Sequence, residues 1–305
     1  MSGQSKTEIR QLLDDAGLAP QHRFGQNFLI DLNLMRKFVA AASIAPDDVV
    51  LEVGPGTGSL TEMLLEAGAV VVACEIDRGL QQILSHRFAN EPRFELVADD
   101  ALAGKNAIRP ELLERLRAAR ERRIAAQPGA APVIKLVANL PYQIATPLMM
   151  ELLLRHPDVA ELHVTIQKEL GEKFWAAVEH EQYSPIAIVA QSLAHIECIS
   201  LLPAAAFWPA PKVESVMLSL RRFAAAPPEI AGDPPGFAAF VRGAFQLRRK
   251  SLRRISRGWE VNGPEQLLAA CQISPDARPE HVPVEKWRQL FALVVAARGT
   301  AGNAE

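Results

Sequence analysis

An α/β fold, with a parallel sheet covered on both faces by helices and a small all-helical domain after it, is predicted by three observations. Short apolar runs rich in β-branched residues alternate with amphipathic stretches between Asp48 and Gln167. Strands buried on both faces read this way, and helical crossovers between them make the sheet parallel. A glycine cluster, Gly54, Gly56 and Gly58, stands where the first of these runs meets a helix. Beyond a proline- and glycine-rich stretch at 224–236, every segment reads as helix. The chain of 305 residues, 49% of them hydrophobic, is longer than one compact domain usually needs. The expected division is an α/β domain over 1–223, a linker over 224–236 and a helical domain over 237–305.

Each element has its own reason. Thr7 to Ala16 is amphipathic, and a polar loop with two aromatic residues, Arg23 to Leu29, follows it. Asp31 can cap a helix running to Ala42 with Leu34, Phe38 and Val39 on one face. Val49 to Val53 is the first strand, Leu60 to Ala67 a helix stopped by Gly68, Val70 to Cys74 the second strand and Arg78 to Phe88 the next helix. Phe94 to Ala98, Val133 to Ala138 and Leu162 to Gln167 continue the sheet. Segment 103–132, with a charged helical stretch from Pro110 to Ala126, reads as an insertion on the surface. Ile186 to Ile199 and Val213 to Leu220 are β-compatible and suggest closure of one sheet edge. Later helices are expected over Phe237–Phe245, Arg248–Arg257, Pro264–Cys271 and Val284–Ala297.

Composition narrows the function classes. The formal net charge is −2, so any surface for phosphate must be a local patch. Cys74, Cys198 and Cys271 are odd in number and far apart; they read as reduced, partly buried thiols, with no metal expected. No apolar run approaches the roughly 18 residues of a membrane span. The first twenty residues carry Glu8, Asp14 and Asp15 and no apolar core, so neither secretory nor transit peptide is expected.

Glu52-Val53-Gly54-Pro55-Gly56-Thr57-Gly58 joins a strand to a helix. Glycines there let the backbone turn tightly and approach a ligand, and the helix N-terminus offers free N–H groups. A ligand-free turn is the plain alternative. Glu75 stands at the end of the second strand, about twenty residues on, where a carboxylate can accept both ribose hydroxyls of an adenosine. NAD and S-adenosylmethionine both satisfy that Rossmann-like geometry. Asp100, after the third strand, is placed for the adenine amine of the cofactor or, alternatively, to cap a turn.

The fourth strand ends in Asn139-Leu140-Pro141-Tyr142, and in open α/β sheets ligands bind at the carboxyl ends of strands. Adenine N6 is a poor nucleophile because its lone pair is delocalised into the ring. Two acceptors aimed at the amine hydrogens localise that pair. The Asn139 carboxamide offers one, and the Leu140 or Pro141 carbonyl the other. Proline fixes the backbone and has no competing N–H. Tyr142 gives a flat face for an extruded base, worth ~1–3 kcal/mol. A proline turn with a buried tyrosine is the bland reading of the tetrapeptide alone.

Taken in order, several motifs resemble the small-subunit ribosomal RNA adenine dimethyltransferases, the kasugamycin-sensitivity family. They are Phe24-Gly25-Gln26-Asn27-Phe28-Leu29, the glycine loop, Glu75-Ile76-Asp77 and Asp100-Ala101-Leu102, then Asn139 to Tyr142 and Gln167-Lys168-Glu169. Phe207-Trp208-Pro209-Ala210-Pro211-Lys212-Val213 and Arg248 to Arg253 complete the set. The resemblance implies a Rossmann-like S-adenosylmethionine-dependent methyltransferase domain with a small all-helical C-terminal domain. It implies that Asn27 and Leu29 close over S-adenosylmethionine, that Gly54, Gly56, Glu75, Asp100 and Asn139 contact it, and that Phe207 joins Tyr142 in holding the target adenine. It also implies dimethylation of N6 at two adjacent adenosines of small-subunit rRNA in a 30S precursor. The chain is expected to act as a cytoplasmic monomer without a membrane partner.

Arg248, Arg249, Lys250, Arg253, Arg254 and Arg257 form a basic stretch. At helical spacing Arg249, Arg253 and Arg257 share one stripe, and no acid interleaves, so phosphate contact is favoured over a merely solvated face. Three segments depart from the family: Lys173-Phe174-Trp175 where an arginine is usual, Tyr183-Ser184-Pro185 in place of a Tyr-Gly turn, and 103–132. All three are expected near RNA or the cleft rim. Rival readings are a large-subunit rRNA adenine N6-methyltransferase of the macrolide-resistance type, and a non-catalytic ribosome-assembly or transcription factor of the same fold. An NAD dehydrogenase is disfavoured, since no catalytic acid/base partner follows the third or fourth strand.

Overall fold

The structure is a computed structural model that describes residues 3–21, 24–104, 107–129 and 131–301, with side chains to residue 298. Arg23 of the polar loop and Lys105, Asn106 and Ala130 of segment 103–132 lie outside the described residues. By contacts the chain divides into two compact units. The first comprises 1–152, 156–171 and 197–221, and the second 153–155, 172–196 and 222–305.

In the first unit, α1 (Lys6–Asp15) carries a capping box from Ser5 and Glu8. The two-residue strand β1 (Phe28–Leu29) follows, then α2 (Leu32–Ala41), capped by Asp31 as expected. The alternation of β2 (Val49–Val53), α3 (Ser59–Glu66), β3 (Val70–Cys74), α4 (Arg78–Arg87) and β4 (Phe94–Val97) follows the reading closely. Next come α5 (Pro110–Ala126), β5 (Ile134–Asn139), α6 (Tyr142–Arg155), β6 (Val159–Gln167) and α7 (Lys168–Trp175). After α8 (Pro185–Leu193) the chain returns to β7 (Ala194–Leu202), β8 (Phe207–Trp208) and β9 (Ser215–Arg222). The seven-stranded sheet has the order β4-β3-β2-β5-β6-β9-β7, while β1 and β8 form a separate antiparallel pair. β2 to β6 run parallel, and β9 lies antiparallel to β6. β2 and β3 are buried at every position, which is why their sequences are continuous apolar runs rather than alternating ones.

Two expectations are corrected here. Segment 103–132 is not an insertion on the surface: α5 is the crossover helix between β4 and β5. It packs on β2 and β3 through Leu112, Leu116 and Ala119. Its arginines are spoken for: Arg115 pairs with Glu111, Arg117 with Asp158 at 2.8 Å, Arg122 with Glu95 and Arg123 with Asp47. The stretch Ile186 to Ile199 is not one strand. Ser184 and Pro185 start a helix, and β structure begins only at Ala194. A run of small and β-branched residues that is buried all round does not reveal its period.

In the second unit, α8 packs with α9 (Pro234–Gln246) and α12 (Val284–Ala301), beside α10 (Leu252–Ile255) and α11 (Pro264–Ala270). Phe237 and Phe291 meet edge to face at 5.6 Å, and Phe240 meets Trp287 at 6.0 Å. Tyr183 is 1% exposed and donates its hydroxyl to the Val282 carbonyl at 2.8 Å; Phe174 is fully buried. The departures at 173–175 and 183–185 thus place core side chains in this unit, where RNA contacts were expected. The contact division also puts 172–196 with the C-terminal helices, whereas a single cut at 223 does not.

Candidate active site

At the carboxyl ends of β2, β3 and β5 lies a cleft that opens to solvent, with about 1270 Å³ of empty space when its open mouth is counted, the place where open α/β sheets bind ligands. Its walls include Asn27, Leu29, Gly54, Gly56, Glu75, Asp100 and Asn139 to Tyr142. Residues far apart in the chain, those at the strand ends read from position and Asn27 and Leu29 from the family resemblance, therefore face one space.

The glycine loop follows β2. Gly54 and Gly56 have φ of 73° and 62°, a region that L side chains rarely adopt. A Cβ on Gly56 would stand 2.8 Å from the Phe28 ring, so this glycine also lets β1 pack over the loop. Beneath the loop, Gln4 is an unforeseen support: its Oε1 accepts from Thr57 Oγ1 at 2.6 Å and Ser59 Oγ at 2.8 Å. Nothing in the sequence ties residue 4 to residues 57 and 59.

Glu75 is 4% exposed. Its carboxylate accepts from Gly56 N at 3.2 Å and Asp77 N at 2.9 Å. Burial pushes it up to about 7, against the pull of those N–H groups. A ligand that donates hydroxyls to it would favour the ionised form. Glu52, also on the cleft wall, is pushed up to about 8 by burial, although it accepts from Thr61 Oγ1 at 2.6 Å. Its folded value lies above the ordinary 4.5, so the folded chain holds this proton more tightly and stability falls as pH rises from about 4.5 through about 8. Urea unfolding should therefore show Glu52→Gln gaining about 4 kcal/mol over the parent between pH 5 and pH 9. Equal pH dependence of the two proteins would contradict the buried neutral carboxyl.

Asp100 does two things at once. One oxygen accepts from Leu102 N at 2.9 Å, which is the turn-capping alternative, yet the residue still lines the cleft. Arg109 fastens the same turn through the Asp100 carbonyl at 2.8 Å and the Asp99 carboxylate at 2.9 Å. Nearby, Cys74 is buried and donates to Asp99 O. Burial lifts its thiol to about 12, so it is inert. Cys271 is buried as well, whereas Cys198 is exposed, contrary to expectation.

Asn139 ends β5. Its Nδ2 donates to the Asn27 carbonyl at 2.8 Å, which leaves Oδ1 as the atom free to act as acceptor. The structure also separates the two carbonyls that the sequence left open. Pro141 O accepts from Ile144 N at 3.1 Å in the first turn of α6, whereas Leu140 O has no such partner among the described residues. Leu140 N is tied to Thr165 O at 3.1 Å, across the β5–β6 pair. Tyr142 begins α6, and its hydroxyl meets Ser215 Oγ at 2.9 Å, a partner the sequence did not single out. Partial burial raises the Tyr142 phenol; it remains protonated.

Phe207 is placed differently from the expectation. It pairs with Leu29 in the β1–β8 ladder and is 3% exposed, packed in the core with Leu29, Met35 and Met217. It does not appear on the cleft wall. Successive residues of a strand face opposite ways, and the neighbour Trp208 instead stacks on Phe28 at 6.3 Å.

The basic segment lies in the second unit and is not one helix. Ser251 stands at the N-cap position of the short α10 without a side-chain capping bond, and Leu252 N and Arg253 N bond to Ala277 O and Pro275 O. These tertiary bonds replace the helical ladder, so Arg248, Arg249 and Lys250 sit in an exposed turn. Arg253 is also not available as a free cation: it pairs with Glu265 at 2.7 Å and Asp276 at 3.3 Å. Arg248, Arg249, Lys250, Arg254 and Arg257 have no acidic partner among the described residues.

Known proteins match this arrangement along the chain. The model of a family described as Ribosomal RNA adenine dimethylase matches residues 18–295. The Ribosomal RNA small subunit methyltransferase A of Streptomyces griseus subsp. griseus is 37% identical over 287 residues, covering 92% of this chain and 91% of that protein. Its counterpart from Phenylobacterium zucineum is 35% identical over 304 residues, covering 100% and 98%. Among solved structures, a dimethyladenosine transferase from Plasmodium falciparum superposes with a TM-score of 0.67 at 23% identity, over 86% of this chain and 95% of that one. The 23S rRNA methyltransferase ErmE gives 0.61 at 23%, over 87% and 98%; these two likenesses speak to the fold. With the glycine loop, Glu75 and Asn139 on one cleft and a family match from residue 18 to residue 295, the chain belongs to the ribosomal RNA adenine dimethylase family.

Proposed function

We propose that this chain transfers methyl groups from S-adenosylmethionine to N6 of two adjacent adenosines in small-subunit rRNA, acting as a cytoplasmic monomer on a 30S precursor. The observation that carries this reading is the fixed Asn139 carboxamide: with Nδ2 held by Asn27 O, its oxygen has one remaining job, to accept. Bound S-adenosylmethionine supplies an electrophilic methyl group on a sulfonium. Glu75 takes the ribose hydroxyls, Gly54 and Gly56 let the backbone approach, and Asp100 offers its second oxygen to the cofactor's adenine amine. Asn27 and Leu29 close the roof. Asn139 Oδ1 and Leu140 O accept the two hydrogens of the target amine and localise its lone pair. Pro141 fixes that turn, and Tyr142, pinned by Ser215, offers its ring to the base. Phe207 supports Leu29 from the core. No strong base is needed, since the proton can leave to water after transfer.

Among the described residues no helix is long and apolar enough to cross a membrane. The exposed cations of the second unit are assigned to rRNA phosphates. Alanine at Arg248, Arg249 and Lys250 together should lower the slope of log affinity against log salt by about 2 to 3. Arg253→Ala should change it little, because Arg253 is already paired. Equal slopes for the triple variant and the parent would remove this turn from the interface.

The direct test is incubation with labelled S-adenosylmethionine and under-methylated 30S particles, followed by nucleoside analysis and mapping. N6,N6-dimethyladenosine at two neighbouring positions is expected. Label confined to large-subunit rRNA, or binding of rRNA without transfer, would overturn the reading.

A further inference from the structure

We propose that Asp77 and Gln26 are positioning residues: they latch the roof segment over the cleft and, through it, hold the Asn139 carboxamide in register. The proposal rests on Asn139 being the group that engages the target amine. Asp77 is 5% exposed. Its Oδ1 caps α4, accepting from Gly79 N at 2.8 Å and Leu80 N at 3.4 Å. A cap needs one acceptor oxygen, which asparagine supplies equally well. The second oxygen is engaged elsewhere: Oδ2 accepts from Gln21 Nε2 at 2.8 Å and Gln26 Nε2 at 3.0 Å. Gln26 cannot turn its amide over without loss, because its Oε1 already accepts from Gln21 N at 2.7 Å. Two amide donors converging on one carboxylate oxygen make charge-assisted bonds, stronger than neutral ones.

The latch sits between both halves of the site. Asp77 N donates to the Glu75 carboxylate at 2.9 Å. Gln26 precedes Asn27, whose carbonyl receives Asn139 Nδ2 at 2.8 Å. At its far end the roof is held by the pairing of Phe28 and Leu29 with Trp208 and Phe207. Asn27 is thus strung between two anchors, side-chain hydrogen bonds at Asp77 and the paired, packed β1 at the other end. Releasing it frees the carbonyl that orients Asn139 while β1 stays paired. Small misplacements of a reacting group are costly.

The test uses Asp77→Asn, which keeps the cap oxygen but turns a donor toward Gln26, and Asp77→Asn combined with Gln26→Glu, which restores the bond with donor and acceptor exchanged. Gln26→Met breaks the latch without touching the cap. Hydrogen exchange is followed over residues 24–27 in the cofactor-free protein. Single-turnover methyl transfer to under-methylated 30S particles is measured at saturating S-adenosylmethionine. Asp77→Asn and Gln26→Met should exchange about tenfold faster over 24–27 and transfer methyl about 10- to 100-fold more slowly, and the double variant should recover most of both. Unchanged exchange in the single variants would overturn the proposal. So would faster exchange with an undiminished saturated rate, since the latch would then hold only the cofactor roof. A double variant no better than Asp77→Asn would also overturn it. The exchange arm needs no activity, so a parent that fails to methylate rRNA defeats the functional reading while the latch itself is still judged.

Discussion

Replacing Asn139 by alanine is expected to slow single-turnover methyl transfer by about 10²–10³-fold, the usual cost of removing one preorganised hydrogen-bonding group from a reacting centre. The loss should fall on the rate at saturating cofactor, because the acceptor matters most when the amine lone pair becomes localised. Asn139→Asp separates two contributions. It keeps an acceptor oxygen but sets a carboxylate against the Asn27 carbonyl, where Nδ2 now donates at 2.8 Å. Its rate should therefore stay far below the parent's despite the added negative charge. A near-parental rate for Asn139→Ala would show that the Leu140 carbonyl alone suffices and that the proposed chemistry is misplaced.

The second large effect belongs to Glu75. Its buried carboxylate already satisfies two backbone N–H groups, and ribose hydroxyls would add further bonds to a charged acceptor, each worth roughly 1.5–3 kcal/mol. Glu75→Gln should therefore weaken S-adenosylmethionine binding on the order of 10²-fold at pH 8. The pH dependence follows from the raised value of about 7. Binding that favours the ionised form is strong above that value and is lost as pH falls through it, approaching tenfold in Kd per pH unit. Calorimetric titration between pH 5.5 and 8.5 should show this slope in the parent and a flat, weak profile in Glu75→Gln. A flat parental profile would mean that the ribose does not bind the ionised carboxylate.

Most elements of the sheet were legible in the chain because the signals are local. Val49–Val53 and Val70–Cys74 are five-residue apolar runs that end in Gly54 and Glu75, and Asp31 stands directly before the helix it caps. α5 has the predicted ends, Pro110 and Ala126, but its sequence reads as an insertion. Charges on its outer face are visible in sequence, but the acids that neutralise them, Asp47, Glu95 and Asp158, come from other elements. Ile186 to Leu193 failed for a different reason: a segment buried on all sides shows no period by which helix and strand differ.

By itself, the sequence determined the identities and strand-end places of Gly54, Glu75, Asp100 and Asn139, and hence the kind of chemistry, because spacing along an alternating α/β chain delivers those residues to one edge of the sheet. Only the tertiary structure decided how these side chains are held. It turned Asn139 by giving its Nδ2 to Asn27 and pinned Tyr142 on Ser215. It also sent Phe207 into the core and withdrew Arg253 from the free cations by pairing it with Glu265 and Asp276. Each of these outcomes depends on a hydrogen bond, ion pair or packing contact between residues distant in the chain, and no local pattern encodes such a contact.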